Sequence, residues 1–325
     1  MKRERINLFY EGEYDYPLAF GFMPNIRTYF HEGTKPRPCI LIVPGGGYTH
    51  CSDAEGEIVA RTFYAFGWHC AVLTYTCNLL YMAPLKDQPL KEITRAMHIL
   101  RTRAEDWHID SEKIAVMGFS AGAHLAASLA EFKDRIDDPV YPGINAMPNL
   151  LVLCYPVITF GEYAHANSIR ALLGENASEE EKDRYSLEKH INFDMCPVFL
   201  WQTMEDKSVP VENSYVMAMA LRKQNIPFEH HVFTHGRHGL SVSTQQWEDC
   251  EYGDDPYTLE QCYAVLEQLK NGTLKPFDQA YADEMIFKFD HPSDPEFWDP
   301  LRVHDKDAAA WVNLSKAWLE RNWEQ

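Results

Sequence analysis

The hardest restriction on the fold lies in Lys113 to Ala127, Lys-Ile-Ala-Val-Met-Gly-Phe-Ser-Ala-Gly-Ala-His-Leu-Ala-Ala, where a buried-type strand runs directly into a helix with Ser120 at the bend. A strand-to-helix turn this sharp leaves no room for side chains beside the serine, so Gly118-Phe119-Ser120-Ala121-Gly122 satisfies Gly-x-Ser-x-Gly for a steric reason. With 17 glycines in the chain, the pentapeptide is expected by chance only about 0.04 times. Apolar Ile114 to Met117 precedes it and a helix-compatible stretch to about Glu131 follows, so Ser120 is the candidate nucleophile.

The flanking sequence supplies the rest of a layered fold. Ile6 to Tyr10 and Ile26 to Phe30 read as an opening antiparallel hairpin. Cys39 to Val43 is a continuous apolar run, the pattern of a strand covered on both faces. Further strands are expected at His69 to Tyr75, Leu150 to Tyr155, Pro197 to Gln202 and Phe228 to Phe233. Helices are expected at Asp53 to Phe66, capped by Asp53, at Gln88 to Ala104 and at Val211 to Lys223, with short ones near Ser168 to Leu173 and Glu179 to Leu187. The alternation predicts an α/β architecture: an eight-stranded, mostly parallel sheet with helices on both faces, forming a single domain over 1–325. From Trp247 to Asp305 the alternation stops. This acidic, proline-punctuated stretch reads as an insertion with one helix, Tyr257 to Lys270, stopped by Gly272. Its aromatics Phe277, Tyr281, Phe287, Phe289, Phe297 and Trp298 are expected to dock it on the parent fold, with a substrate lid or dimer contact as the alternative. Asp305 then caps a closing helix with Trp311, Leu314 and Trp318 on one face.

A serine hydroxyl needs a base, and the base needs a carboxylate to fix its tautomer. The chain offers both in order, each just beyond a strand: Asp206 in Thr203-Met204-Glu205-Asp206-Lys207-Ser208, then His238 in Thr234-His235-Gly236-Arg237-His238-Gly239. Asp206 is preferred to Glu205, and His238 to His235 because flanking glycines free its loop to fold over the serine. His230 and His231 look like strand residues. Acyl transfer also needs oxyanion donors; the side-chain-free backbone of Gly46 or Gly47, with the Ala121 amide, is the candidate set. Tyr48 and the aromatic and methionine residues near Leu79 to Met82 are candidates for the pocket lining, with a core role as the alternative.

Composition narrows the function classes. A formal net charge of −18 opposes nucleic-acid and anionic-membrane binding, which need clustered Lys and Arg. No run approaches a membrane span, and the charged N-terminus lacks a signal-peptide core, so cytoplasmic residence is expected. The eight cysteines form no Cys-x-x-Cys pair and read as buried free thiols. Gly45-Gly46-Gly47 lacks dinucleotide-binding spacing, no Walker sequence occurs, and neither a metal nor an organic cofactor is implied.

Pro44-Gly45-Gly46-Gly47-Tyr48, Gly118-Phe119-Ser120-Ala121-Gly122, Tyr155-Pro156-Val157-Ile158, Asp206 to Ser214 and His238-Gly239-Leu240 together resemble the α/β-hydrolase-fold enzymes. More narrowly, the chain is similar to bacterial acetyl-xylan esterases, some of which go by the name xylanase, and to the hormone-sensitive-lipase and feruloyl-esterase branches. The similarity covers most of Pro38 to Ser243 and the final helix. It implies Ser120, Asp206 and His238 as a triad and the deacetylation of short esters on carbohydrates, with a small ester or acylated oligosaccharide as substrate. Two departures stand out: Ala123 replaces a usual glycine, and the insertion is longer than the family leads one to expect. The same triad can cleave amides, so an arylformamidase-like or prolyl-peptidase-like hydrolase is the runner-up. A non-catalytic binding protein is the reading from another class, and a homo-oligomer is left open.

Overall fold

The computed structural model describes residues 1–132, 135–291 and 303–324. Eight strands form one sheet: β1 (Arg5–Asn7), β2 (Asn25–Tyr29), β3 (Arg37–Val43), β4 (His69–Thr74), β5 (Ile109–Phe119), β6 (Leu150–Cys154), β7 (Val198–Thr203) and β8 (Phe228–Phe233). Their spatial order is β1-β2-β4-β3-β5-β6-β7-β8. The opening hairpin is antiparallel and β2 pairs antiparallel with β4, while every pair from β4 to β8 is parallel. This is the α/β-hydrolase fold, with the strand run and covering helices read from the sequence.

Period-two alternation sends the central strands' side chains into two cores. Leu41, Val116, Leu153 and Leu200 face one side with α2 (Gln88–Thr102), α3 (Ala121–Glu131) and α6 (Glu212–Lys223). Ile42, Met117, Val152 and Trp201 face the other with α1 (Glu57–Tyr64) and the closing helix α10 (Trp311–Trp323). Both faces are sealed, which is why these strands read as unbroken apolar runs, and each fully buried Ile or Leu contributes roughly 2 kcal/mol. Trp311 stacks on Trp201 at 5.2 Å, fixing α10 beneath the sheet. Asp305 accepts the Ala308 N–H at 2.7 Å, capping the turn that leads into α10.

Two helical expectations need correction. The segment after Asp53 is not one helix: a 3-10 turn, Asp53–Glu55, breaks at Gly56 before α1 begins, and the break turns Glu55 inward. Between them α4 (Ala166–Leu173) and α5 (Glu179–Arg184) appear near their expected places, α5 opened by a Ser178/Glu181 capping box. After the short α7 (Gln245–Glu248), the described residues of the insertion carry two substantial helices rather than one, α8 (Glu260–Lys270) and α9 (Gln279–Asp290). They pack through Val265, Leu266, Met285 and Phe289 against Leu79 and Leu80. Of its aromatics, Phe289 is buried and Tyr281 packs on Tyr81 at 5.4 Å, but Phe277 and Phe287 face solvent; Phe297 and Trp298 lie outside the described residues.

Arginines of the opening hairpin tie the insertion down. Arg5 pairs with Glu260 at 2.6 Å and Arg27 with Asp255 at 3.1 Å, and the Arg27 guanidinium lies 3.7 Å from the Tyr257 ring centre. Arg3 bridges Asp254 and the buried Glu57, and Arg61 joins the same acidic pair. All eight cysteines are free thiols, seven of them buried. No described helix is long and apolar enough to cross a membrane.

Candidate active site

Ser120 caps α3 at the carboxyl edge of the sheet with φ 52° and ψ −119°, a conformation that costs a non-glycine residue about 1–3 kcal/mol. The turn is held from both sides. The Ser120 N–H donates to Cys154 O at 2.9 Å, and its carbonyl accepts from Ala123 at 3.1 Å and Val157 at 3.2 Å. The glycines are required by close approach: a Cβ on Gly118 would stand 2.4 Å from Gly122 O, and one on Gly122 2.2 Å from Val43 O.

The loops after β7 and β8 bring the partners across. His238 Nε2 lies 2.8 Å from Ser120 Oγ and its Nδ1 2.6 Å from Asp206 Oδ2. Asp206 Oδ1 accepts the Ser208 and Val209 N–H groups, both at 2.9 Å, so the carboxylate is a pure acceptor. The Nδ1–H of His238 therefore donates to Asp206, which leaves Nε2 to accept the serine hydroxyl proton. The rejected alternatives, Glu205 and His235, pair with each other at 3.1 Å in solvent, away from the serine. His230 and His231 are in β8.

Gly46 (φ 110°) and Gly47 (φ 62°) turn the loop after β3 over the serine in a conformation that disfavours other residues. Among the described residues, the N–H groups of Gly46, Gly47 and Ala121 are donated to no other group of the protein. Tyr48 does not reach the cleft: it is 1% exposed, and its hydroxyl bonds the buried Nδ1 of His124 at 2.8 Å. Positive φ at Tyr48 turns its ring under the loop, so its role is packing. Leu79 and Tyr81, by contrast, do line the cleft.

A cleft of about 1050 Å³ opens over Ser120 and His238. Its far wall comes from the insertion, through Tyr257, Leu259, Tyr263, Met285 and Phe289. Sequence reasoning missed four inner residues. His50 and His165 flank the glycine loop, and burial pushes each imidazole down to about 4, so both are neutral near pH 7. Ser168, fully buried, holds His165 Nδ1 at 2.8 Å. Glu55 lies behind Gly45, and no local pattern marks it, because its partners are far away in sequence. Among the described residues no cluster of three or more His, Cys, Asp or Glu could hold a metal ion.

Residues 28–221 match the family model BD-FAE. Among curated proteins, the chain is 45% identical over 263 residues to endo-1,4-beta-xylanase B of Butyrivibrio fibrisolvens, and 26% identical over 214 residues to an acetylxylan esterase of Xylanibacter ruminicola. These alignments cover 80% and 63% of this chain but only 41% of each relative, so the chain spans about two-fifths of their length. Among solved structures, an acetyl ester-xyloside bifunctional hydrolase from Caldicellulosiruptor lactoaceticus superposes with a TM-score of 0.68 at 35% identity, covering 84% of this chain and 97% of that one. A family model matched over more than half of the chain and a relative spanned nearly end to end make this protein a member of the BD-FAE family, built on the α/β-hydrolase fold.

Proposed function

We propose that the protein is a carboxylesterase that removes acetyl-type groups from carbohydrate esters such as acetylated xylo-oligosaccharides, through Ser120, His238 and Asp206. The observation that carries this reading is the unbroken relay of 2.8 Å and 2.6 Å from hydroxyl to imidazole to carboxylate at the mouth of the cleft. His238 Nε2 takes the Ser120 proton as Oγ attacks the ester carbonyl, and Asp206 stabilises the imidazolium that forms. The undonated amides of Gly46, Gly47 and Ala121 receive the oxyanion, each such donor being worth about 3 kcal/mol. Collapse expels the alcohol with the proton from His238. Water, deprotonated by the same nitrogen, then hydrolyses the acyl-enzyme.

The carbohydrate assignment draws on the acetylxylan esterase and the acetyl ester-xyloside hydrolase among the relatives, and on a cleft roomy enough for several sugar units. Ser120→Ala should abolish burst release of p-nitrophenol from p-nitrophenyl acetate, and full retained activity would overturn the mechanism. A screen of acetylated xylo-oligosaccharides, feruloyl esters, longer acyl chains and aminoacyl amides tests the substrate. Preference for the amides would replace the esterase reading with the amidase one.

A further inference from the structure

Glu55 is a buried carboxylate, 4% exposed, that none of the steps above uses. Its Oε2 accepts the Gly45 N–H at 2.8 Å and its Oε1 accepts the Tyr155 O–H at 2.6 Å. The direction of the second bond is fixed by a third: the Ser241 N–H donates to the Tyr155 hydroxyl oxygen at 3.0 Å, so the phenol proton is free for Glu55. Both carboxylate oxygens thus face donors, and the network is complete with Glu55 ionised. An O–H to carboxylate bond of this length is in the strong, charge-assisted range.

The three partners belong to three different loops. Gly45 precedes the candidate oxyanion donors Gly46 and Gly47, and only its missing side chain lets Glu55 and Ser120 flank it, since a Cβ would stand 2.8 Å from Ser120 Cβ. Tyr155 follows β6 directly at φ 36°, and its ring meets the His238 imidazole edge-on at 5.0 Å. Ser241 lies three residues past His238, and its carbonyl is anchored by Trp311 Nε1 at 2.8 Å.

We propose that Glu55 is a positioning residue of the hydrolytic centre: its ionised carboxylate pins the glycine loop through Gly45 and the imidazole loop through Tyr155, holding oxyanion donors and base in one frame. This rests on the reading of Ser120, His238 and Asp206 as the reacting trio. Burial works against the charge and raises the Glu55 carboxyl, while the bonds from Tyr155 and Gly45 and the field of His238 favour it. The other ionisable groups around Glu55 are Asp53, on its own turn, and Tyr75, Cys154 and Tyr155, which burial keeps neutral. Those facing the imidazole are Asp206 and the neutral His165.

Glu55→Gln keeps the shape and removes the charge, and its amide cannot accept from both Gly45 and Tyr155. The pKa of the His238 imidazolium, followed by NMR without substrate, should fall by about half a unit to one unit because a nearby anion is lost. On p-nitrophenyl acetate kcat should fall about a hundredfold while KM stays within about threefold, as expected when donors to the oxyanion shift. A lowered melting temperature with imidazole pKa and kcat unmoved would overturn the proposal by reducing Glu55 to a structural role. Should Glu55→Gln fail to fold, Tyr155→Phe removes only the linking hydroxyl, and kcat should fall at least tenfold with KM held; unchanged kcat would overturn it. The imidazole titration needs no turnover, so wild-type protein inert toward esters would sink the esterase reading alone, and an unmoved imidazole would sink this one alone.

Discussion

Gly122→Ala adds one methyl group where the structure has no space for it. The new Cβ would stand 2.2 Å from Val43 O, 2.4 Å from Pro44 O and 2.7 Å from Pro44 C, all backbone atoms at the end of β3. Neither side can yield by rotating a side chain, so α3 and the β3 terminus must separate by about 1 Å. Overpacking of this kind costs about 1–3 kcal/mol, which lowers the melting temperature of a chain this size by several degrees. The functional loss should be larger, because the surfaces being pushed apart carry Ser120 on one side and the glycine loop on the other. A misplacement of about 1 Å between nucleophile and oxyanion donors is worth roughly a hundredfold in kcat. The control is Gly161→Ala, where the nearest atom a Cβ would meet is the movable Thr159 Oγ1 at 3.3 Å. Thermal unfolding and steady-state hydrolysis of p-nitrophenyl acetate measure both effects. Gly122→Ala with kcat within twofold of wild type would refute the argument that close approach, rather than sequence habit, demands this glycine.

Two further outcomes follow from charge. Burial lifts the Glu92 carboxyl to about 7 against hydrogen bonds from Thr76 and Gln88, so in the folded chain it binds its proton more tightly than the ordinary carboxyl does. Stability from this site is therefore full below about pH 4.5 and lost as pH rises through 7; the unfolding free energy of wild type minus that of Glu92→Gln should fall by about 3 kcal/mol over that window in urea titrations, and a difference flat in pH would contradict it. Arg27→Ala removes the guanidinium from Tyr257 and Asp255 on the cleft wall, a contact worth about 1 kcal/mol. KM for an acetylated oligosaccharide should rise about fivefold while kcat/KM on p-nitrophenyl acetate stays put, and equal changes on both substrates would show that the wall does not touch the sugar.

What could be read from the residues was what local pattern encodes. Central strands were legible because both faces are sealed, which turns β3 into Cys39 to Val43 without a polar interruption. Ser120, Asp206 and His238 were legible as a set because each follows a strand, and parallel strands deliver such residues to one edge. Glu55 was not, since its meaning depends on Gly45 across a turn and on Tyr155 a hundred residues later. The sequence left Tyr48 open between pocket lining and core, because the positive φ that accompanies its buried ring is invisible in the letters. The α9 helix was overlooked although Ala282, Met285 and Phe289 keep helical spacing, because outward Phe287 and the adjacent acids blur that face.

The arginine ties of the opening hairpin bear on how the molecule is made. Arg3, Arg5 and Arg27 leave the ribosome well ahead of their partners Asp254, Glu260 and Asp255, which emerge more than two hundred residues later. Contacts so distant along the chain form late, after the entropy of closing a very long loop has been met. Ser120, Asp206 and His238 are all synthesised by residue 238, so a nascent chain carries the proposed trio before the insertion wall of the cleft exists. On the proposed esterase reading, the insertion wall docks last, and a lesion that delays its docking should release a less discriminating hydrolase before it releases an inactive one.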